Sequence, residues 1–212
     1  RDSVEVVHTS KEYLDSIEAK YNKITVGEVI YHGLGFRNQE KKQNLFFPSL
    51  ISLVGFEVVG GFRLGPYMSY WREFENGRQI WANNNFSIGL KNADWQGGVN
   101  LWTRYNPKRL GDFSFRIGRN FHSINSFDAY LNQLKISNYI LHEYVYLFHR
   151  MELVNGLYAG VELNFSNRKS IDGYDATSII NEVLDETEAI KFEGYQALIS
   201  TVKISYTPGQ RF

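Results

Sequence analysis

The chain has 212 residues, no cysteine, and 23 basic against 23 acidic side chains, giving a formal net charge of zero. A balanced charge removes the cationic field that nucleic-acid partners need, and the missing thiols exclude a disulfide framework, a thiolate zinc site and a cysteine nucleophile. Mean hydropathy is −0.35 and no run of about eighteen apolar residues exists to cross a bilayer as a helix, yet aromatic side chains make up 16% of the chain.

Arg1 opens the sequence without a charged-then-apolar leader, which reads as a mature form or a fragment. Residues 1–23 are assigned to an N-terminal helical segment on the periplasmic side, and 24–212 to a β domain. Ser10 is placed to cap a helix, and Tyr13, Leu14, Ile17 and Tyr21 follow at helical spacing.

From about Phe46 the period changes to two. Phe62, Leu64, Met68 and Tyr70 share one face against Glu57, Arg63 and Ser69. Trp95 to Tyr105 sets Val99, Leu101 and Tyr105 against Gln96, Asn100, Trp102 and Arg104. Phe113, Phe115, Ile117 and Phe121 oppose Ser114, Arg116 and Asn120, with Arg119 interrupting the apolar row where a long side chain can snorkel. Glu143 to Leu153 is less regular, because aromatics occupy both faces. Leu157, Ala159, Val161, Leu163 and Phe165 oppose Tyr158, Gly160, Glu162 and Asn164. Leu198, Val202, Ile204 and Tyr206 oppose Thr201, Lys203 and Ser205. Phe127 to Leu141 fits a helix in its first half and a strand start in its second, and Thr177 to Leu184 fits a short helix within an acidic loop.

One apolar and one polar face also occur in soluble antiparallel sheets. Two features favour a membrane barrel: strands of about nine to eleven residues, the length that crosses a bilayer at a tilt, and polar faces that mix Arg, Glu and Lys with Gly and Asn. Asn76-Gly77, Asn155-Gly156 and Asn106-Pro107 mark tight hairpins. Counted in order, these fall on one end. The Asn92-Ala93-Asp94 turn and the long stretches 120–142 and 166–196 fall on the other, the outer-membrane habit of short periplasmic turns and long external loops. The fold expected is all-β: an antiparallel transmembrane β-barrel of about eight to ten strands, or part of a larger one, with a short N-terminal helix and helical loop segments.

In such a barrel Glu57, Arg63, Arg104, Arg116, Arg150, Glu152, Glu162 and Lys203 are the lumen-facing charges. They either line a permeation path or pair across neighbouring strands to fill the interior, and the modest strand number favours pairing. Trp71, Trp81, Trp95 and Trp102 read as interfacial girdle residues. The five histidines, His8, His32, His122, His142 and His149, lack the spacing of a helical zinc site. Ser123 beside His122 does not make a hydrolytic pair, since adjacent residues on an extended chain point apart. Asp172-Gly173-Tyr174-Asp175 opens an acidic loop without the spacing of a calcium-binding helix-loop-helix motif. No catalytic residue, metal or cofactor is expected.

Several short motifs carry a resemblance: Tyr13 through Gly33, Phe56-Glu57-Val58-Val59-Gly60-Gly61-Phe62, Phe86-Ser87-Ile88-Gly89-Leu90, Tyr105-Asn106-Pro107, Arg116-Ile117-Gly118 and Thr207-Pro208-Gly209-Gln210-Arg211. Their order resembles an uncharacterised outer-membrane β-barrel family of Bacteroidota that often follows a carboxypeptidase-regulatory-like domain and is distantly similar to surface-antigen barrels. The resemblance implies an outer-membrane location and a longer parent protein, with a sandwich domain before Arg1 and more barrel after Phe212. It supplies no catalytic residues.

The function expected is a structural, transport or envelope-assembly role in a Gram-negative outer membrane, with membrane lipid and other envelope proteins as partners and no nucleic acid. The alternative is a soluble β-barrel or sandwich that binds an apolar ligand or a protein. The two invert the geometry: Val99, Leu101, Phe113, Phe115, Val161 and Leu163 point inward in the soluble case and outward in the membrane case. A barrel lipase stands third.

Overall fold

The computed structural model describes residues 11–125, 127, 133–175 and 188–209. Helix α1 (Lys11–Tyr21) precedes strands β1 (Leu34–Asn38), β2 (Gln43–Phe47), β3 (Val54–Glu57), β4 (Gly61–Leu64), β5 (Tyr67–Glu73), β6 (Gln79–Gly89), β7 (Trp95–Asn106), β8 (Gly111–Ser123), β9 (Tyr139–Val154), β10 (Leu157–Lys169) and β11 (Tyr195–Tyr206). All belong to one antiparallel sheet with nine side-by-side positions, β1-β2-β5-β6-β7-β8-β9-β10-β11. The short β3–β4 hairpin prolongs the lines of β2 and β5, because β4 pairs with β6 at Arg63↔Gly89 just beyond the reach of β5. No pairing joins β1 to β11, so the sheet is open rather than the closed ring expected.

Element boundaries differ from the sequence expectation in places. The β1–β2 hairpin lies before Phe46, where alternation was expected to begin. Residues 56–70 form parts of three strands, reversing at Val58–Gly60 and stepping aside at Gly65-Pro66. Gly65 is required there: a side chain would run into the Phe86 backbone, whose amide donates to the Pro66 carbonyl at 3.0 Å. Lys42 (φ 45°) and Leu110 (φ 46°) take the left-handed conformation in turns 39–42 and 107–110, whereas in the two Asn-Gly hairpins glycine alone does. Gly77 (φ 76°) and Gly156 (φ 78°) have positive φ, while Asn76 and Asn155 do not. The helix forms as expected over Lys11–Tyr21, whereas Ser10 and the stretch 177–184 lie outside the described residues, as do 128–132 within the ambiguous segment. The described remainder of that segment holds a 3₁₀ turn at Ile136–Asn138 that leads into β9.

Helix α1 docks on the edge strand. Asn22 makes both hydrogen bonds that a neighbouring strand would make to Arg37: its side-chain amide donates to the Arg37 carbonyl (2.7 Å) and its side-chain oxygen accepts from the Arg37 amide (2.6 Å). Glu18 accepts from the Gln39 amide at 2.7 Å, and the Arg37 guanidinium lies 4.5 Å from the Tyr21 ring centroid. The β1 edge is thereby blunted. The facing edge, β11, carries no such cover among the described residues.

Antiparallel connectivity sorts the connections onto two ends. Turns 39–42, 74–78, 107–110 and 155–156 lie at one end; turns 58–60 and 90–94 and the longer connections 124–138 and 170–194 lie at the other. At the loop end the chain reaches sideways: the Gly60 amide donates to the Asp175 carbonyl at 2.9 Å, and Asn92 exchanges two hydrogen bonds with Asp175 (3.2 and 3.0 Å). Five strand spacings separate β10 from the β4 line, about 24 Å in a flat sheet; residues 170–175 bridge it with a turn, the Tyr174 amide donating to the Ile171 carbonyl at 3.0 Å, and so fall short of the ~21 Å that six extended residues span. The sheet therefore curls. Val59, Ile136, Leu141 and Ile171, all buried, form a small core where these loops meet, with Phe121, Tyr139 and Tyr174 packed against it.

Candidate functional site: the polar face of the sheet

Register assigns each strand residue to one of two faces. The apolar face carries, among others, Phe62, Ile88, Val99, Ile117, Leu163 and Val202, and every one of these is exposed. The opposite face is polar and is the better buried: Gln96, Asp112, Ser114 and Ser166 are all below 9% exposure, while Val161, Leu163 and Phe165 on the apolar face of β10 lie at 44, 37 and 40%. In a one-layer sheet this inversion requires curling toward the polar side, since the concave face loses solvent contact first. The apolar row on β10 runs nine residues, from Leu157 to Phe165, and ends at Asn167 and Lys169.

All eight charges picked out in the sequence, Glu57, Arg63, Arg104, Arg116, Arg150, Glu152, Glu162 and Lys203, share the polar face. They do not form one cluster. At the short-turn end, Arg104, Asp112, Arg150, Gly160 and Lys203 are consecutive cross-strand partners. Arg104 grips Asp112 through two nitrogens at 2.8 and 3.1 Å, a fork geometry that orients both groups. Lys203 pairs with Glu162 at 2.8 Å. Arg150 lies 4.5 Å from the Tyr158 ring centroid and Arg116 4.8 Å from that of Tyr146; both arginines remain exposed. Glu152 is buried and accepts from the Gly156 amide at 2.7 Å, so it holds the β9–β10 hairpin.

At the loop end Arg63, 2% exposed, donates to both oxygens of Asp94 (3.2 and 2.9 Å) and to Ser87 Oγ (3.2 Å). Glu57 lies 3.8 Å from Arg63 and accepts from Gln96 at 2.7 Å. Asp94 and Asp112 were not among the charges chosen from the sequence. Asp94 sits in a turn and Asp112 at the very start of a strand, where alternation assigns no face.

Three tryptophans depart from the girdle expectation. Trp71, Trp81 and Trp102 are directly paired across β5, β6 and β7 and continue through Ser114, Phe148 and Glu162, all on the polar face. Only Trp95 of the four faces the apolar side. Bulky aromatics fill a concave surface more completely than short polar side chains, and aromatic cross-strand pairs stabilise register. Beside this row, Tyr67, Asn83, Asn85, Asn100 and Tyr144 line a hollow of about 400 Å³. Six polar-face groups keep a buried polar atom with no protein partner: Asn44, Asn100, Asn120, Asn164, His142 and Arg168. Such atoms are costly unless a partner satisfies them.

His122 and His142 are brought together from β8 and β9, with ring centroids 5.4 Å apart. Their twenty-residue separation gave no sign of this. Ser123, their neighbour, is held by Asn138 at 2.9 Å rather than by either ring. Asp172 and Asp175 each face a lysine, Lys191 at 3.4 Å and Lys91 at 3.9 Å. Among the described residues no three metal-ligating side chains converge.

The model of the C-terminal domain of a family of unknown function, DUF5686, matches residues 27–212. The chain belongs to this family. The match begins past α1 and takes in every strand. No curated protein matches, and no solved structure matches.

Proposed function

We propose that the sheet is part of the wall of a transmembrane β-barrel in a Gram-negative outer membrane, with its apolar face against lipid and its polar face lining a hydrated interior. The uncovered edge, β11, is paired in the assembled wall, while Asn22 and Glu18 cap β1 at Arg37 and Gln39. The role is structural, in transport or in envelope assembly, without a reaction; membrane lipid and other envelope proteins are the partners.

The observation that carries this is the inverted burial on β7, β8 and β10: Val99, Ile117, Val161, Leu163 and Phe165 on the apolar face are 37–45% exposed, while Gln96, Asp112, Ser114 and Ser166 on the polar face are buried. Contiguous apolar exposure on this scale far exceeds what a soluble monomer tolerates, and lipid is the solvent that removes its cost. Nine-residue apolar rows bounded by polar residues match the length of a tilted crossing. The polar face favours charge pairing over an open path at both ends, through Arg104–Asp112 and Arg63–Asp94.

Because the chain has no cysteine, single cysteines from Val161 to Phe165 report each face cleanly. In lipid vesicles, a membrane-impermeant maleimide is expected to label positions 162 and 164 and to spare 161, 163 and 165. Labelling of the odd positions instead, or a chain that stays monodisperse without detergent, would overturn the membrane reading in favour of a soluble barrel or sandwich.

A further inference from the structure

The apolar face is interrupted by one polar row at the loop end. Phe86, Gly97, Arg119, Glu143, Asn167 and Gln196 are consecutive cross-strand partners from β6 to β11. Below this row the face is apolar again, with Val99, Ile117, Val145 and Phe165. A groove of about 630 Å³ runs across this boundary, lined by both sets of residues and walled by Trp95. Gly97 contributes no side chain, which leaves a hollow between Phe86 and Arg119.

The charged groups at the head of the groove do not cancel. Among the described residues Glu143 is the one carboxylate there, and it faces two cations, Lys169 at 2.8 Å and Arg119 at 3.8 Å. Asn167 also donates to Glu143, at 2.7 Å. Arg119 is held in place by rings, 4.7 Å from the Trp95 centroid and 3.4 Å from the Tyr174 hydroxyl. Its Nε is buried without a hydrogen-bond partner. One unit of positive charge is left over, above an apolar trough.

We propose that this groove binds a bilayer lipid with an anionic phosphate headgroup, the phosphate between Arg119 and Lys169 and one acyl chain along Val99, Ile117, Val145 and Phe165. Excess positive charge selects an anionic over a zwitterionic headgroup, and the trough takes a chain that the flanking side chains would otherwise exclude. Cations at this height sit where an apolar band meets the headgroup layer, and Trp95 is an interfacial residue in the same place. The proposal rests on the membrane reading of the apolar face.

Quenching of Trp95 by brominated acyl chains tests it. The chain and its W95F variant are placed in phosphatidylcholine vesicles that contain equal mole fractions of brominated phosphatidylglycerol or brominated phosphatidylcholine, and the difference between chain and variant isolates Trp95. One net cation near a lipid surface predicts an apparent association about fivefold stronger for phosphatidylglycerol. Lys169→Gln, which leaves Arg119 balanced by Glu143, is expected to bring the ratio close to one without altering quenching by phosphatidylcholine; R119Q/K169Q, which leaves Glu143 alone, is expected to bring it below one. Equal quenching by the two lipids in the unaltered chain, or a ratio that survives both variants, overturns the headgroup site while leaving the membrane reading intact. Absence of quenching by either lipid overturns both.

Discussion

Arg63 and Asp94 form the most enclosed ion pair of the sheet, 2.9 Å apart with side chains 2% and 5% exposed, and they tie β4 to the turn between β6 and β7. The two residues are thirty-one positions apart, and their contact exists because β4 continues the line of β5 beside β6. Glu57, Ser87 and Gln96 complete the network.

Removing one partner strands the other charge out of water. Arg63→Ala or Asp94→Ala is expected to cost about 3–5 kcal/mol, and the paired R63M/D94L distinctly less, because no lone charge is left behind. Urea titration of the chain reconstituted in lipid vesicles measures both. A double variant as damaged as either single one would show that the ion pair contributes by its specific geometry rather than by mutual neutralisation.

The two faces of β10 are predicted to respond oppositely to a new charge. In the proposed barrel Val161→Arg and Leu163→Arg place a cation toward lipid, at a cost of about 2–4 kcal/mol each near the bilayer midplane. Asn164→Arg, on the polar face between Arg116's partner Tyr146 and Ile199, is expected to be tolerated within about 1 kcal/mol. Folding yields and unfolding free energies in vesicles distinguish the faces, and equal penalties on both would contradict the assignment.

The tryptophan row offers a spectroscopic check on the same geometry. Trp71, Trp81 and Trp102 share the polar face, the hydrated side of the proposed barrel, so acrylamide is expected to quench most of the emission of the W95F variant. A chain that keeps Trp95 alone should respond weakly to acrylamide. Stronger aqueous quenching of Trp95 than of the other three would place the row on the wrong side.

Asn92 anchors the loop end. Asn92→Ala removes both of its hydrogen bonds to Asp175 and leaves the Gly60–Asp175 bond, a loss of about 1–2 kcal/mol. Limited proteolysis between Ser170 and Asp175 should accelerate about tenfold, with little change in global unfolding. Unchanged cleavage would mean that the small core around Ile171 holds the loop unaided.

How far the sequence reached depends on the length of the strand involved. On β7, β8, β10 and β11 alternation is long and clean, so Val99, Phe115, Leu163 and Val202 could be put on one face and Arg104, Arg116, Glu162 and Lys203 on the other before any contact was known. A period of two fixes face by local geometry alone. The same rule failed where strands are short or their faces mixed. β1 and β2 span five residues each, and Asn83-Asn84-Asn85 gives β6 no apolar rhythm to detect.

What the sequence by itself determined was an antiparallel β chain with two chemically distinct faces and a short-turn and a long-loop end. Only the tertiary structure decided which residues meet. Trp71 joins Trp81 and Trp102, His122 joins His142, and Arg63 finds Asp94, because cross-strand register depends on where each turn begins and one residue of slip exchanges the faces. It also decided that the apolar face is the exposed one. Alternation is symmetric between inside and outside, and curvature, a property of all nine positions together, breaks that symmetry.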